Sequence, residues 1–164
     1  MPAPSPTWRV ILHLGDHQEK DKMTHSFKTV GESDHRMYGP RSIVVCGFSA
    51  GERKIIYNAF LELKFKDLPV IFTGGGDRKT LMKEMVARPH KSGMAEACDL
   101  TPAIIMSGLT EKELHKTMAA CKRRKLPPIL WATLTPTSES WSVEALVKEL
   151  KTERLHFDNP PGDN

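Results

Sequence analysis

The chain has 164 residues, of which 39% are hydrophobic and 27% are charged, and its formal net charge is +4. These values are ordinary for one soluble globular domain, and the longest apolar runs, of roughly ten residues, exclude a membrane span. Three cysteines without a CxxC spacing argue against a disulfide framework. They predict a reducing compartment, either the cytoplasm or an organelle stroma or matrix if a transit peptide has been removed.

The N-terminal region, residues 1–39, contains one segment with a clear pattern. Residues 8–14 are mostly apolar and β-branched and lie between a proline and a glycine, which predicts a first strand. Residues 16–39 are polar and show no period, so we expect a long loop or arm. A loop of this length is unusual inside a compact domain, which indicates a functional or poorly ordered segment.

A regular pattern begins at residue 40. The uncharged run at 42–46 has no polar alternation, which predicts a strand covered on both faces. Apolar residues at three- and four-residue spacing predict a helix over 50–66, and a second strand is expected at 68–73. Three glycines then end the strand, and Asp77 is placed to cap the next helix.

The second half of the chain repeats this order. It predicts a strand at 103–106, a helix at 111–124, a strand at 129–133 and a helix at 142–154. The tail, residues 157–164, is rich in proline, glycine and aspartate and is expected to be flexible.

One short pattern occurs in both halves. An apolar run is followed by a glycine, a large apolar residue, a hydroxyl residue and, three positions later, a glutamate. The two versions are Gly47, Phe48, Ser49 and Glu52, and Gly108, Leu109, Thr110 and Glu113.

This repetition predicts two β-α-β-α units, at about 41–87 and 102–154, within one α/β domain at 40–156. Because a strand, a helix and a parallel strand close in one hand, we expect a mostly parallel sheet of four or five strands with helices on both faces.

The hydroxyl and glutamate residues of this pattern are interpreted as helix caps. Ser49 with Glu52, and Thr110 with Glu113, have the spacing of a capping box, in which each side chain bonds a backbone amide of the first turn. The alternative is an anion bound at the helix N-termini, which a glutamate in the same turn opposes.

Two groups of residues form the candidate ligand-binding set for an anion. The first is a glycine-rich loop between a strand and a helix, although it lacks the phosphate-loop spacing. The second is basic and follows a predicted helix, where lysine and arginine also complement the helix dipole. The candidates are Gly74, Gly75, Gly76, Arg78, Lys79, Lys122, Arg123 and Arg124.

No catalytic or metal-binding residues are predicted. Ser49 matches Gly-x-Ser-x-Gly by letter, but a cap explains both halves of the chain whereas a nucleophile explains one. Cys46 ends a predicted strand, just before Gly47, at a place where α/β folds bind ligands, but it has no assignable histidine partner. A metal site would need the N-terminal His and Asp residues, and no cofactor motif is present. Those residues are His13, Asp16, His17, His25, Asp34 and His35.

Two motifs carry a resemblance to a known family. The sequence Gly47-Phe48-Ser49-x-x-Glu52, together with Thr135-Pro136-Thr137 and Trp141-Ser142, resembles a small uncharacterised α/β domain of unknown function with bacterial and plant members. The resemblance covers roughly residues 40–153. It implies a small α/β fold and a soluble protein, and it implies no activity.

The sequence therefore favours a non-catalytic binding or adaptor protein that works through protein–protein contacts. The alternative is an anion-binding module for a nucleotide or RNA, which would use the basic residues at 112–125 and the loop at 74–80. A small thiol or serine enzyme using Cys46 or Ser49 is a second alternative.

Overall fold

The computed structural model describes residues 35–65, 67–94 and 98–158, with side chains to 155, as an open four-stranded sheet with helices on both faces. The predicted strand at 8–14 and most of the predicted arm lie outside the described residues. The first half contains β1 (Ser42–Cys46), α1 (Ala50–Leu63), β2 (Val70–Phe72) and α2 (Met82–Met85). The second half contains β3 (Ala103–Ser107), α3 (Glu111–Lys122), β4 (Leu130–Thr133) and α4 (Val143–Asp158). One-turn 3₁₀ helices span Gly75–Asp77 and Ser138–Ser140.

The strand order is β2-β1-β3-β4. The two outer pairs, β1 with β2 and β3 with β4, are parallel, as expected. The central pair, β1 with β3, is antiparallel, which local patterns did not predict. As a result, the carboxyl ends of β1 and β2 lie at one end of the sheet and those of β3 and β4 lie at the other.

The pairing register is centred on Val44 of β1, which lies opposite Ile105 of β3. The outer pairs have matching registers, because Ile43 pairs with Val70 just as Ile104 pairs with Trp131. Leu81 and Ser142, the residues that precede α2 and α4, form an antiparallel bridge of their own.

The core has two layers, one on each face of the sheet. Because strand side chains alternate between faces, Val44 and Ile105 point toward α2 and α4, whereas Ile43 and Ile104 point toward α1 and α3. All of the residues of β1, β2 and β3 are buried, which is why their sequences lack a polar alternation.

Helix α4 continues to Asp158, beyond its predicted end at 154 and into the segment expected to be a flexible tail. Two further differences from the sequence expectation have a local cause. The helix predicted to reach residue 66 ends at Leu63, because Lys64 adopts the left-handed conformation and its N–H bonds the carbonyl of Leu61. Asp77 caps a 3₁₀ turn rather than an α-helix, since its carboxylate accepts from the N–H of Gly74 at 2.8 Å. Helix α2 therefore begins only at Met82.

Gly47 and Gly108 form the turns after β1 and β3, with φ of +77° and +70°. A Cβ on Gly47 would overlap the backbone of residues 100–101, and a Cβ on Gly108 would overlap the backbone of residues 39–41. Each turn is thus packed against the segment that leads into the other half's first strand. The segment that leads into β1 also places Arg36 in an antiparallel bridge with Thr110.

Candidate functional site

Ser49 and Thr110 form capping boxes at the starts of α1 and α3. The N–H of Glu52 donates to Ser49 Oγ at 3.2 Å, and the N–H of Ser49 donates to Glu52 Oε1 at 2.9 Å. In α3 the equivalent distances, between Thr110 and Glu113, are 3.1 and 3.0 Å. These side chains therefore satisfy backbone amides that the first turn of a helix leaves without a partner.

Arginines hold the turns that precede both helices. Arg41 donates from Nη1 and Nη2 to the two carboxylate oxygens of Glu113, at 2.8 and 2.9 Å, and Nη1 also contacts the carbonyl of Gly108 at 3.3 Å. The hydrogen bond from Arg41 holds the pKa of Glu113 below its usual value. Arg53 is buried and donates from Nη1 to the carbonyl of Phe48 at 2.9 Å.

The candidate nucleophiles lie in unreactive surroundings. The described hydrogen bond of the Ser49 side chain is the one that its Oγ accepts from the N–H of Glu52, in the cap. Cys46 is fully buried, and burial raises the pKa of its thiol to about 12. At neutral pH this thiol is protonated and so is a poor nucleophile.

Among the described residues no group of three or more His, Cys, Asp or Glu side chains could hold a metal ion. Of the six histidine and aspartate residues considered from the sequence, only His35 lies within the described part. Within this part, too, no helix is long and apolar enough to cross a membrane.

The glycine-rich loop is occupied by its own aspartate. Besides accepting from Gly74, the carboxylate of Asp77 pairs with Arg88 at 2.9 Å. Asp77 thus uses a loop amide that a bound phosphate would need. Gly75 and Gly76 are exposed, and Lys79 and Arg78 lie 3.6 and 4.0 Å from the carboxylate of Glu144 on α4.

The basic group at the end of α3 lies elsewhere. Lys122 and Arg123 are exposed, whereas Arg124 donates to Glu62 on α1 at 2.7 Å and to the carbonyl of Ala120 at 2.6 Å. Helices α1 and α3 cover one face of the sheet and α4 covers the other. The two parts of the predicted anion site therefore form ion pairs with helices on opposite faces.

An apolar groove lies between the second half of α1 and the edge strand β2. It has a volume of about 510 Å³ and is lined mainly by apolar and aromatic side chains. Leu61 is 54% exposed at this groove, a high value for a leucine on an otherwise amphipathic helix. We call this feature the α1–β2 groove; its lining includes Tyr57, Phe60, Leu61, Phe65, Leu68 and His90.

His90 joins the two sides of the α1–β2 groove. Its Nδ1 accepts from the N–H of Val70 at 3.1 Å, and its Nε2 lies 3.1 Å from the hydroxyl of Tyr57. An accepting Nδ1 in the neutral ring places the proton on Nε2, which then donates to Tyr57. Residues 91–92 continue along the edge of β2, since Lys91 donates to the carbonyl of Val70 and Phe72 donates to that of Ser92.

The non-glycine residues with a left-handed backbone conformation are concentrated at the same place. Lys64, Asp67 and Lys91 have φ of 54°, 52° and 73°, and no other non-glycine residue of the described part has a positive φ. Lys64 and Asp67 line the groove, and the Nζ atom of Lys91 lies 5.1 Å from the ring centre of Tyr57. Such conformations are costly for residues with a Cβ and often mark functional positions.

Sequence reasoning missed the α1–β2 groove. The available signals were Leu61, an apolar residue outside the buried stripe of α1, and Lys64, at a helix end where glycine is usual. The position of His90 had no sequence signal, because it depends on contacts with residues far away along the chain.

Comparison with known proteins finds one similarity, in the second half of the chain. Residues 102–157 match a family described as a domain of unknown function (DUF3783). This range contains β3 through most of α4, and it includes the Thr135-Pro136-Thr137 and Trp141-Ser142 motifs but not Gly47-Phe48-Ser49. No curated protein and no solved structure matches the chain.

Proposed function

We propose that this protein is a non-catalytic binding module that works through protein–protein contacts. The observation that carries the proposal is the α1–β2 groove, an open apolar cavity of about 510 Å³ beside the exposed side chain of Leu61. Ile55, on the same helix, is 38% exposed. Apolar surface next to a preformed cavity is typical of sites that bind a partner's anchoring side chain.

The surroundings of the candidate nucleophiles support a binding role over a catalytic one. Ser49 has a structural use in the cap of α1, and the thiol of Cys46 is buried and protonated. Neither the Oγ of Ser49 nor the thiol of Cys46 has a described hydrogen bond to a histidine or a carboxylate, the general base that a serine or thiol enzyme needs.

The proposal is tested by comparative capture from a lysate of the source organism. The bait is the full chain, either wild type or with Leu61→Glu, and bound proteins are quantified by mass spectrometry. We expect at least one protein to be retained by the wild type and lost with the variant. Lys148→Glu, on the exposed side of α4, is the control and should retain it. If both variants retain the same proteins as the wild type, the proposed use of this surface is wrong.

Anion or nucleic-acid binding is the second candidate, and the surface of α3 favours it. Lys112, Lys116 and Arg123 recur along one side of the helix and are exposed, and Lys122 and Lys125 extend the basic surface. RNA binding at this surface would weaken steeply with salt, and Lys116→Glu with Arg123→Glu would weaken it further. A filter-binding titration at two salt concentrations measures both effects.

We also propose that the chain is a tandem duplication, in which residues 41–87 are a diverged copy of the unit at 102–154. The matching registers of β1–β2 and β3–β4 support this, as do the two capping boxes and the bridge between Leu81 and Ser142. On this view, 41–87 is a diverged form of the domain that matches at 102–157, a family with bacterial and plant members. A profile search with many homologues of the first half tests the relationship.

A further inference from the structure

We propose that the α1–β2 groove binds a peptide segment in which a large apolar residue is flanked by aspartate or glutamate. This inference rests on the proposed function and names the chemistry of the partner. It follows from three properties of the groove: its apolar lining, the charges at its rim and the backbone conformation of the residues that carry those charges.

The lining requires an apolar anchor. Phe60 is 7% exposed at the base of the groove, and Leu61 is more than half exposed at its side. The volume of about 510 Å³ falls in the range of roughly 300–1,000 Å³ typical of binding pockets. A leucine, methionine or aromatic side chain entering this space would cover the apolar surface of Leu61, which water now contacts.

The rim favours negative charge. Lys64 and Lys91 are exposed, and Lys91 is held near the ring of Tyr57. Among the described lining residues, Asp67 is the one carboxylate. Two lysines against one aspartate leave the described rim with a net positive charge.

The backbone conformation at Lys64 and Lys91 supports a binding role for their charged side chains. At Lys64 and Lys91 the chain is in the left-handed region, where glycine would be the less strained residue. The chain nevertheless carries a long cationic side chain at both positions. A binding role for the two ammonium groups accounts for this choice, since steering and register of an acidic segment depend on charges at an interface rim.

His90 keeps the groove in a form ready to bind. Its two ring nitrogens connect the edge of β2 to Tyr57, so the two sides of the groove are fixed relative to one another. A preformed site loses less conformational entropy on binding than a flexible one, which favours recognition of a short segment.

The test uses a library of random twelve-residue peptides displayed on phage, selected on the immobilised full-length protein. We expect enriched peptides to contain a leucine, methionine, phenylalanine or tryptophan next to at least two acidic residues. Synthetic versions should bind about tenfold more weakly to Lys64→Glu and Lys91→Glu. They should show no measurable binding to Leu61→Glu. Glutamate carries the same left-handed strain as lysine, so the charge alone is changed, and Lys148→Glu is the matched control.

Three results would overturn the inference. Peptides with basic flanks would reverse the charge argument. Peptides that bind Leu61→Glu as tightly as they bind the wild type would show that the peptide site lies elsewhere, and only a general binding role would remain. A concentration-dependent dimer in analytical ultracentrifugation, abolished by Leu61→Glu, would make a second copy of this chain the occupant.

The lysate capture distinguishes a failure of this inference from a failure of the proposed function on which it rests. If no peptide is enriched while the capture still yields a partner that depends on Leu61, the acidic-peptide class is wrong and the proposed function stands. If neither experiment gives a Leu61-dependent partner, both are wrong.

Discussion

Val44 and Ile105 lie directly opposite each other at the midpoint of the central antiparallel pair. They occupy the same place in the two halves of the chain, three residues before Gly47 and Gly108 respectively. The pairs at the two ends of these strands show the same correspondence. Ser42 lies opposite Ser107, and their counterparts in the other half, Ala103 and Cys46, lie opposite each other. The pairing of β1 with β3 is therefore symmetric about Val44 and Ile105, and each half of the chain packs against the other.

The two glycine turns should be intolerant of any side chain. Gly108→Ala would place a Cβ against the backbone of residues 39–41 in a left-handed conformation, so we expect a loss of more than about 2 kcal/mol in the free energy of unfolding. Gly51→Ala is the control, because a Cβ there meets no atom and the residue is helical, and it should gain about 0.5–1 kcal/mol. Urea denaturation followed by circular dichroism measures both. Equal stabilities would contradict the packing described for the turn.

The Arg41–Glu113 ion pair should make stability depend on pH. Because Arg41 lowers the pKa of Glu113 in the folded state, the pair stabilises the fold above the unfolded glutamate value of about 4.3 and ceases to do so as the pH falls through the lower folded value. We expect Arg41→Ala to cost about 2 kcal/mol at pH 7, since the pair is bidentate and partly buried, and much less at pH 3. Denaturation of both proteins at the two pH values checks this.

Arg124→Ala supplies the control for that experiment. Its partner Glu62 is 66% exposed, so the loss should be below about 1 kcal/mol. An Arg41→Ala penalty that is the same at both pH values would show that the lost free energy is not due to the charge of Glu113.

The cap interpretation of Ser49 predicts which substitutions are tolerated. Ser49→Ala should cost about 1 kcal/mol, because it removes the acceptor for the N–H of Glu52, whereas Ser49→Asp should retain most of the stability. Thermal unfolding compares the variants. A fluorophosphonate adduct on Ser49 in an intact-mass spectrum would contradict the interpretation, since a serine engaged only in capping has no base to activate it.

The left-handed conformation of Lys64 predicts a stabilising substitution. Lys64→Gly should raise the free energy of unfolding by about 0.5–1 kcal/mol, because glycine adopts this conformation without steric cost. Lys54→Gly, at an exposed position within α1, should lower it by about 1 kcal/mol. Chemical denaturation measures both, and a destabilised Lys64→Gly variant would show that the lysine contributes to folding instead of binding.

The three cysteines should differ in their reactivity toward iodoacetamide at pH 8. Burial raises the pKa of Cys46 and of Cys121 to about 12, whereas Cys98 is partly exposed. We expect the folded protein to take up one label, at Cys98, and the unfolded protein to take up three. Peptide mapping by mass spectrometry locates the labels, and rapid labelling of Cys46 in the folded state would contradict its buried position.

Much of the secondary structure could be predicted because its causes are local. The apolar runs of β1 and β3 and the capping boxes at Ser49 and Thr110 are each contained in a few consecutive residues. The helices on both faces followed from strands that lack a polar alternation. The antiparallel join between β1 and β3 could not be predicted, because both directions bury the same side chains and the choice depends on how the connecting segments pack.

The α1–β2 groove could not be predicted for a similar reason. Tyr57 and His90 meet only because residues 90–92 follow the edge of β2, and no local pattern at His90 indicates this course. The predicted anion-binding residues form two separate groups in the fold. Each group is locally suggestive, but Arg78 pairs with Asp99 and, at longer range, with Glu144 on α4, whereas Arg124 pairs with Glu62 on α1.

The centring of the sheet on Val44 and Ile105 has a consequence for assembly. A polypeptide with a single β-α-β-α unit would complete the same sheet by pairing its first strand with that of an identical molecule, which makes a symmetric homodimer the expected state of a one-unit protein. Under the proposed duplication, joining two such units in one chain makes that association an intramolecular step, with an effective concentration on the order of millimolar. The sheet then forms at any dilution, and the two halves are free to acquire different surfaces.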